Sequence, residues 1–229
     1  MLEVIRSLAK FENKELNDFI KIVDEKNKEC GSFEDRIFLE KLFVLENVNV
    51  TNLNFRNKYA LRTKPKKYFV DHSIVTAILE IKPNDLINDL KTFGIMFESL
   101  CMRDLKVYTS TYGGNITFYR DEKNFEVDAI LRTSSGKWGA IEIKLCAGFI
   151  DDAANNLLKF KERVDINKCG EPSFLMVLTG TEYSYRRDDG VYIVSIGTLK
   201  NRVYYNLYFC FIASITFGAI FFLDTTSGM

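Results

Sequence analysis

The chain lacks any excess of charge. Its 31 Lys and Arg residues are balanced by 31 Asp and Glu, for a formal net charge of zero over 229 residues. No bulk electrostatic footprint for nucleic acid exists, so any DNA or RNA contact has to come from a local patch. The only histidine is His72, and none of Cys30, Cys101, Cys146, Cys169 and Cys210 forms a C-x-x-C pair. That excludes the usual Cys/His zinc arrangements, and an odd, scattered set of thiols suits a reducing cytosol. An N-terminal signal peptide is not expected, because Glu3, Arg6 and Lys10 interrupt any apolar run. No G-x-x-x-x-G-K-[ST] occurs, and Gly136-Lys137 has no phosphate-loop context, so P-loop ATP binding is not expected. Internal repeats and low-complexity linkers are absent too.

What is present is an ordinary globular mixture, 47% apolar and 27% charged, long enough for one or two domains with real cores. Residues 14–29 place Leu16, Phe19, Ile20 and Val23 on one helical face, and Gly31 follows as a stop. Ser32, with Asp35 three residues on, opens a second helical pattern with Phe38, Leu39, Leu42, Phe43 and Leu45 as its apolar stripe. The stretch from Asn47 is richer in β-formers. It predicts a loop or hairpin, a strand at 67–70 and a short helix from Ser73.

Pro83-Asn84-Asp85 breaks the chain, and Leu86, Leu90, Phe93, Phe97, Leu100 and Cys101 then predict a long helix to about 104. Beyond Lys106 the period changes. VYTSTYG, NITFYRD, NFEVDAILR and KWGAIEIKL read as four strands, divided by Gly113-Gly114, residues 122–124 and Ser134-Ser135-Gly136. A helix over about 150–165 and strands at PSFLMVLTG and GVYIVSI complete an α/β order with a mixed sheet.

Strand periodicity supplies the candidate chemistry. Glu126 and Asp128 share one strand face, and Glu142 and Lys144 share another. The Ser-Ser-Gly turn joins the two strands as a hairpin, so Asp128, Glu142 and Lys144 can converge. Two carboxylates can hold Mg²⁺, which prefers oxygen ligands and activates a bound water against a phosphodiester. Lys144 would orient that water or neutralise developing charge. Glu98, on the preceding helix, is placed as a further metal ligand. Each piece also has a plainer reading: an E-x-K pair makes cross-strand ion pairs, and Asp128 can simply be salt-bridged to Lys144. The apolar flanks Ala140, Ile141, Ile143 and Leu145 favour a site, since buried charges are costly unless paired or metal-bound. Lys66 and Lys67, in a short basic run with Arg62 and Lys64, and Lys159 and Lys161, after the E-x-K strand, are candidate nucleic-acid contacts. For the Lys66–Lys67 run a solvated loop is the better account, while Lys159 and Lys161, like Asn155 and Asn156, face either a phosphate backbone or water. His72 reads as a structural hydrogen-bonder.

The segments FGIMFESLCMRDLKVYTSTYGGNITFYRDEKNFEVDAIL, WGAIEIKL, DDAANNLLKFKERVD and DDGVYIVSIGTLK, with FLEKLFVLENV and KPKKYFVDHSIVTAIL upstream, together resemble one family over about 33–200. It is the uncharacterised C-terminal domain that follows the ATPase core in many bacterial and archaeal AAA-type ATP-binding proteins. The resemblance implies a restriction-endonuclease-like mixed sheet flanked by helices at 85–200, with a PD-(D/E)XK signature at Asp128, Glu142 and Lys144. It implies Glu98 on the first helix and a helical, winged-helix-like segment at 1–84. It does not imply a reaction, because many relatives of that fold serve only as binding modules.

Two departures follow. The ATPase core of the family lies ahead of this segment, so the chain is expected to be a fragment, a truncated gene or one half of a split system. Residues 201–229 depart as well, since Tyr204 to Leu223 carries no charge and about 20 apolar residues suffice to span a bilayer. Lys200 and Arg202 would keep the domain in the cytoplasm. Read-through past a frameshift is the competing account, and a buried soluble helix the third. Expected partners are therefore DNA, an AAA-type ATPase core and, through 204–223, a membrane.

Overall fold

The computed structural model describes residues 40–41, 44–51, 63–78, 80–111 and 113–199. The expected helix at 14–29, most of the one from Ser32, and the 204–223 run lie outside them. Among the described residues no helix is long and apolar enough to cross a membrane. The chain divides into two compact units, Met1–Val50 with Lys64–Arg103, and Thr51–Thr63 with Asp104–Met229.

In the first unit, β1 (Leu45–Val48) pairs antiparallel with β2 (Lys66–Phe69), Leu45 facing Phe69 and Val48 facing Lys66. Leu45 therefore belongs to a strand, not to the apolar stripe of a helix, and both members of the Leu45–Phe69 pair are buried. Helix α1 (His72–Ile78) follows, begun by Asp71, whose Oδ1 accepts the Ser73 N–H at 2.9 Å. The single helix expected from Leu86 is two: α2 (Pro83–Asn88) and α3 (Leu90–Ser110). Asp89 explains the break, because its carboxylate accepts both the backbone N–H and the hydroxyl of Thr92, restarting the helix as a side-chain cap.

Helix α3 runs on through Val107–Ser110, where β-branched residues and Tyr108 predict a strand. Leu105 and Thr109, one turn apart, are buried, and the hydroxyls of Ser110 and Thr111 bond back to the carbonyls of Val107 and Tyr108. Packing here overrides propensity. Gly113, at φ +63°, ends the helix, and the N–H of Gly114 returns to Thr109 O. The double glycine is a helix stop rather than a hairpin turn.

The second unit is built on a six-stranded mixed sheet in the order β3-β4-β5-β6-β8-β7, an α/β fold. Strands β3 (Asn115–Arg120), β4 (Glu126–Arg132) and β5 (Trp138–Lys144) run antiparallel. The β4–β5 turn is the expected one, with Gly136 at φ +87° and Thr133 N–H bonded to Lys137 O. From β5 the chain passes through α4 (Ile150–Arg163) and α5 (Ile166–Cys169) to β6 (Phe174–Thr179), parallel to β5. Then β7 (Tyr185–Arg186) and β8 (Tyr192–Ser195) close the order, β8 parallel to β6.

Strand β5 is central, and every residue from Trp138 to Ile143 is buried, as a strand covered on both faces requires. Helix α4 lays Ile150, Ala153, Ala154, Leu157 and Phe160 over Trp138, Ala140, Leu175, Val177 and Ile193. A fully buried Leu or Phe contributes about 1.5–3 kcal/mol, so this layer fixes the helix above the strands that carry the acids.

Candidate functional site

The register of β4 on β5 sets Ala129 opposite Ile141 and Ile130 opposite Ala140. Asp128 and Glu142 each lie one residue past the Ala129–Ile141 pair, and Lys144 reaches both. There the main-chain ladder gives way to a side chain: the Ile143 N–H donates to Asp128 Oδ2 at 2.9 Å. Lys144 Nζ lies 3.2 Å from that same oxygen and 2.9 Å from Glu142 Oε2. The three residues expected to converge do so.

Their burial is graded. The side chain of Glu142 is 4% exposed, that of Asp128 13% and that of Lys144 32%. Burial first, and the neighbouring Asp128 charge second, push the Glu142 carboxyl up to about 8, against the opposing pull of Lys144 and Asn156. For Lys144 burial works against the charged form, but the two carboxylates outweigh it and raise its pKa. Near neutral pH burial therefore favours the protonated carboxyl of Glu142, beside the Lys144 ammonium.

A fourth member is Asn156, which the sequence reads only as facing phosphate or water. Asn156 Nδ2 donates to Glu142 Oε1 at 2.6 Å and to the Glu126 carbonyl at 2.9 Å. The signal was its spacing, three residues after Ala153 and four before Phe160, both buried on α4. A polar side chain on a packed stripe needs a partner. Asn155, by contrast, is exposed.

The other candidates are placed as follows. Glu126 is paired with Arg120, Nη2 to Oε2 at 2.6 Å. Glu98 belongs to the first unit, where its carboxylate accepts from Tyr68 OH at 2.9 Å and lies 3.6 Å from Lys66 Nζ. The candidate site is therefore built here on Asp128, Glu142, Lys144 and Asn156. Lys67 is paired with Glu40, and Lys161 lies 3.6 Å from Glu171, while Lys159 is exposed on α4. His72 begins α1 in the first unit. Among the described residues no group of three or more His, Cys, Asp and Glu is arranged to hold a metal, and Cys101, Cys146 and Cys169 are free thiols.

No curated protein matches this chain. A solved structure that resembles it is a refined half-complex from the tetradecameric assembly of Thermococcus gammatolerans McrB AAA+ hexamers with bound McrC, at 12% identity and a TM-score of 0.31. The alignment covers 85% of this chain and 46% of that one, so this chain spans under half of its length. Residues 93–199, which hold most of α3, the whole six-stranded sheet and the four residues of the site, match the family described as a domain of unknown function (DUF4143).

Proposed function

We propose that the second unit is a nuclease-type domain that binds and hydrolyses a phosphodiester with Mg²⁺, working beside an AAA-type ATPase. The observation that carries this reading is the convergence of Asp128 and Glu142 on one ammonium, where the β4–β5 ladder opens. The donor chemistry fits the ion, because carboxylate oxygens are the ligands Mg²⁺ prefers. The charge balance fits too. Two acids face one lysine, and the raised pKa of Glu142, due first to burial and second to the Asp128 charge, marks a carboxylate that a bound cation would stabilise. Asp128 and Glu142 would hold the ion, which when bound would supply a Lewis acid and a water of lowered pKa. Lys144, the most exposed of the three, would neutralise charge developing on the phosphate. The ATPase partner is supported by the company the matched domain keeps, since that family typically occurs with AAA ATPases. A cytoplasmic location follows from the same reading.

Nicking of supercoiled DNA by the full chain tests it. Activity is expected with Mg²⁺, and none with chelator or in Glu142→Gln. Nicking that survives in Glu142→Gln, or its absence from the wild type with Mg²⁺, contradicts the hydrolytic reading.

A second reading is a non-catalytic module that couples the ATPase to a protein or DNA partner. Lys66, Lys67 and Lys161 favour it, because each already lies beside an acid of its own chain. Phosphate contacts predict DNA affinity that falls steeply with salt. No binding at low salt points to a protein partner instead.

A further inference from the structure

We propose that Asn156 is the positioning residue of this site: by holding Oε1 of Glu142 it presents Oε2 as the oxygen that meets Lys144 and any cation bound with Asp128.

The geometry rests on one atom. A main-chain carbonyl can only accept, so the atom bonded to Glu126 O at 2.9 Å must be the amide nitrogen of Asn156, not its oxygen. That nitrogen spends its second hydrogen on Glu142 Oε1 at 2.6 Å. Oε1 is therefore fixed as an acceptor and Oε2 is left facing Lys144 Nζ, at 2.9 Å. The same amide ties α4 to the backbone of β4 and to the side chain on β5, so both acid-bearing strands are braced from one residue. Packing of Ala153, Leu157 and Phe160 on either side holds the amide in place. A mere space-filling role does not require this polarity, as a leucine has the same branched skeleton.

The cation-binding half of the inference rests on the nuclease-type reading, whereas the aim of the carboxylate stands without it. The test uses the full chain with two variants, Asn156→Leu, which keeps the branched outline but has no donor, and Asn156→Ser, which is too short to bridge both acceptors. Serine serves if leucine does not fold. The first readout is the ¹³C resonance of the Glu142 carboxyl in metal-free protein, assigned by its loss in Glu142→Gln. It is expected to move when position 156 loses the bridge, and an unmoved resonance overturns the proposal. The second readout is Mn²⁺ affinity by calorimetry, expected to fall about tenfold, as it does when residues behind metal ligands are removed. Equal affinity in wild type and variant overturns the cation-binding half. A resonance that moves while the wild type binds no Mn²⁺ upholds the aiming role and counts against the hydrolytic reading instead.

Discussion

The carboxylate of Asp128 takes the place of a main-chain carbonyl for Ile143, accepting its N–H at 2.9 Å one step past the last paired residues of β4 and β5. An acid that completes a sheet ladder is fixed in direction by backbone, and the second acid, Glu142, is placed by the strand it belongs to. The ammonium between them then has little choice of position.

Asp128→Asn keeps the shape and an acceptor for Ile143 but removes the charge that faces Lys144. Hydrogen bonds to charged groups contribute about 1.5–3 kcal/mol, so a loss of about 1–2 kcal/mol in unfolding free energy is expected at pH 6. Glu142 becomes the sole counter-ion of Lys144 and loses the like charge that raises its pKa. Denaturant unfolding, followed by fluorescence of the single tryptophan, buried Trp138, measures both effects. An unchanged midpoint would show that Asp128 is not part of the network.

Wild-type stability should fall as pH rises. Glu142 titrates near its ordinary value of 4.5 when unfolded and at about 8 when folded, so the native state binds the extra proton between those limits. Stability then declines across that window, by roughly 3–5 kcal/mol, and it declines further above pH 10.5, where the unfolded lysine gives up a proton that folded Lys144 keeps. Glu142→Gln mimics the protonated acid and should flatten the decline between pH 5 and 8 (~ by most of its amplitude). A variant that keeps the wild-type slope would place the titration elsewhere.

Gly139 on β5 sits against Phe174 on β6, its register partner, and a methyl group at that position would collide with the ring. The ring is buried. Gly139→Ala should cost about 1–3 kcal/mol, the usual penalty of overpacking, read as a lower melting temperature. A neutral substitution would mean that the sheet can part at β5–β6.

Much of the second unit is legible in the sequence because its strands alternate or run apolar in short blocks. Asp128, Glu142 and Lys144 converge because a period of two and one turn suffice to place them. The end of α3 is not legible. Val107, Tyr108 and Thr109 carry strand propensity, and only the burial of Leu105 and Thr109 a turn apart reveals the helix. Asp89 was likewise hidden inside an unbroken apolar pattern, since its effect is a bond to Thr92 and not a gap in periodicity. Asn156 escaped because a polar residue on a helix reads as solvated until the strand beneath it is known. Glu98 shows the reverse limit: its helical position was read correctly, but its bonds to Tyr68 and Lys66 come from chain distant in sequence.

Proton release on metal binding tests the central claim most directly. Calorimetry of Mn²⁺ or Mg²⁺ binding at pH 7, repeated in buffers of different ionisation enthalpy, counts the protons expelled when the acids become ligands. The account predicts close to one proton (~1) per ion at pH 7, less above pH 9, and none in Glu142→Gln. Binding without proton release, or no binding heat at all, would contradict it.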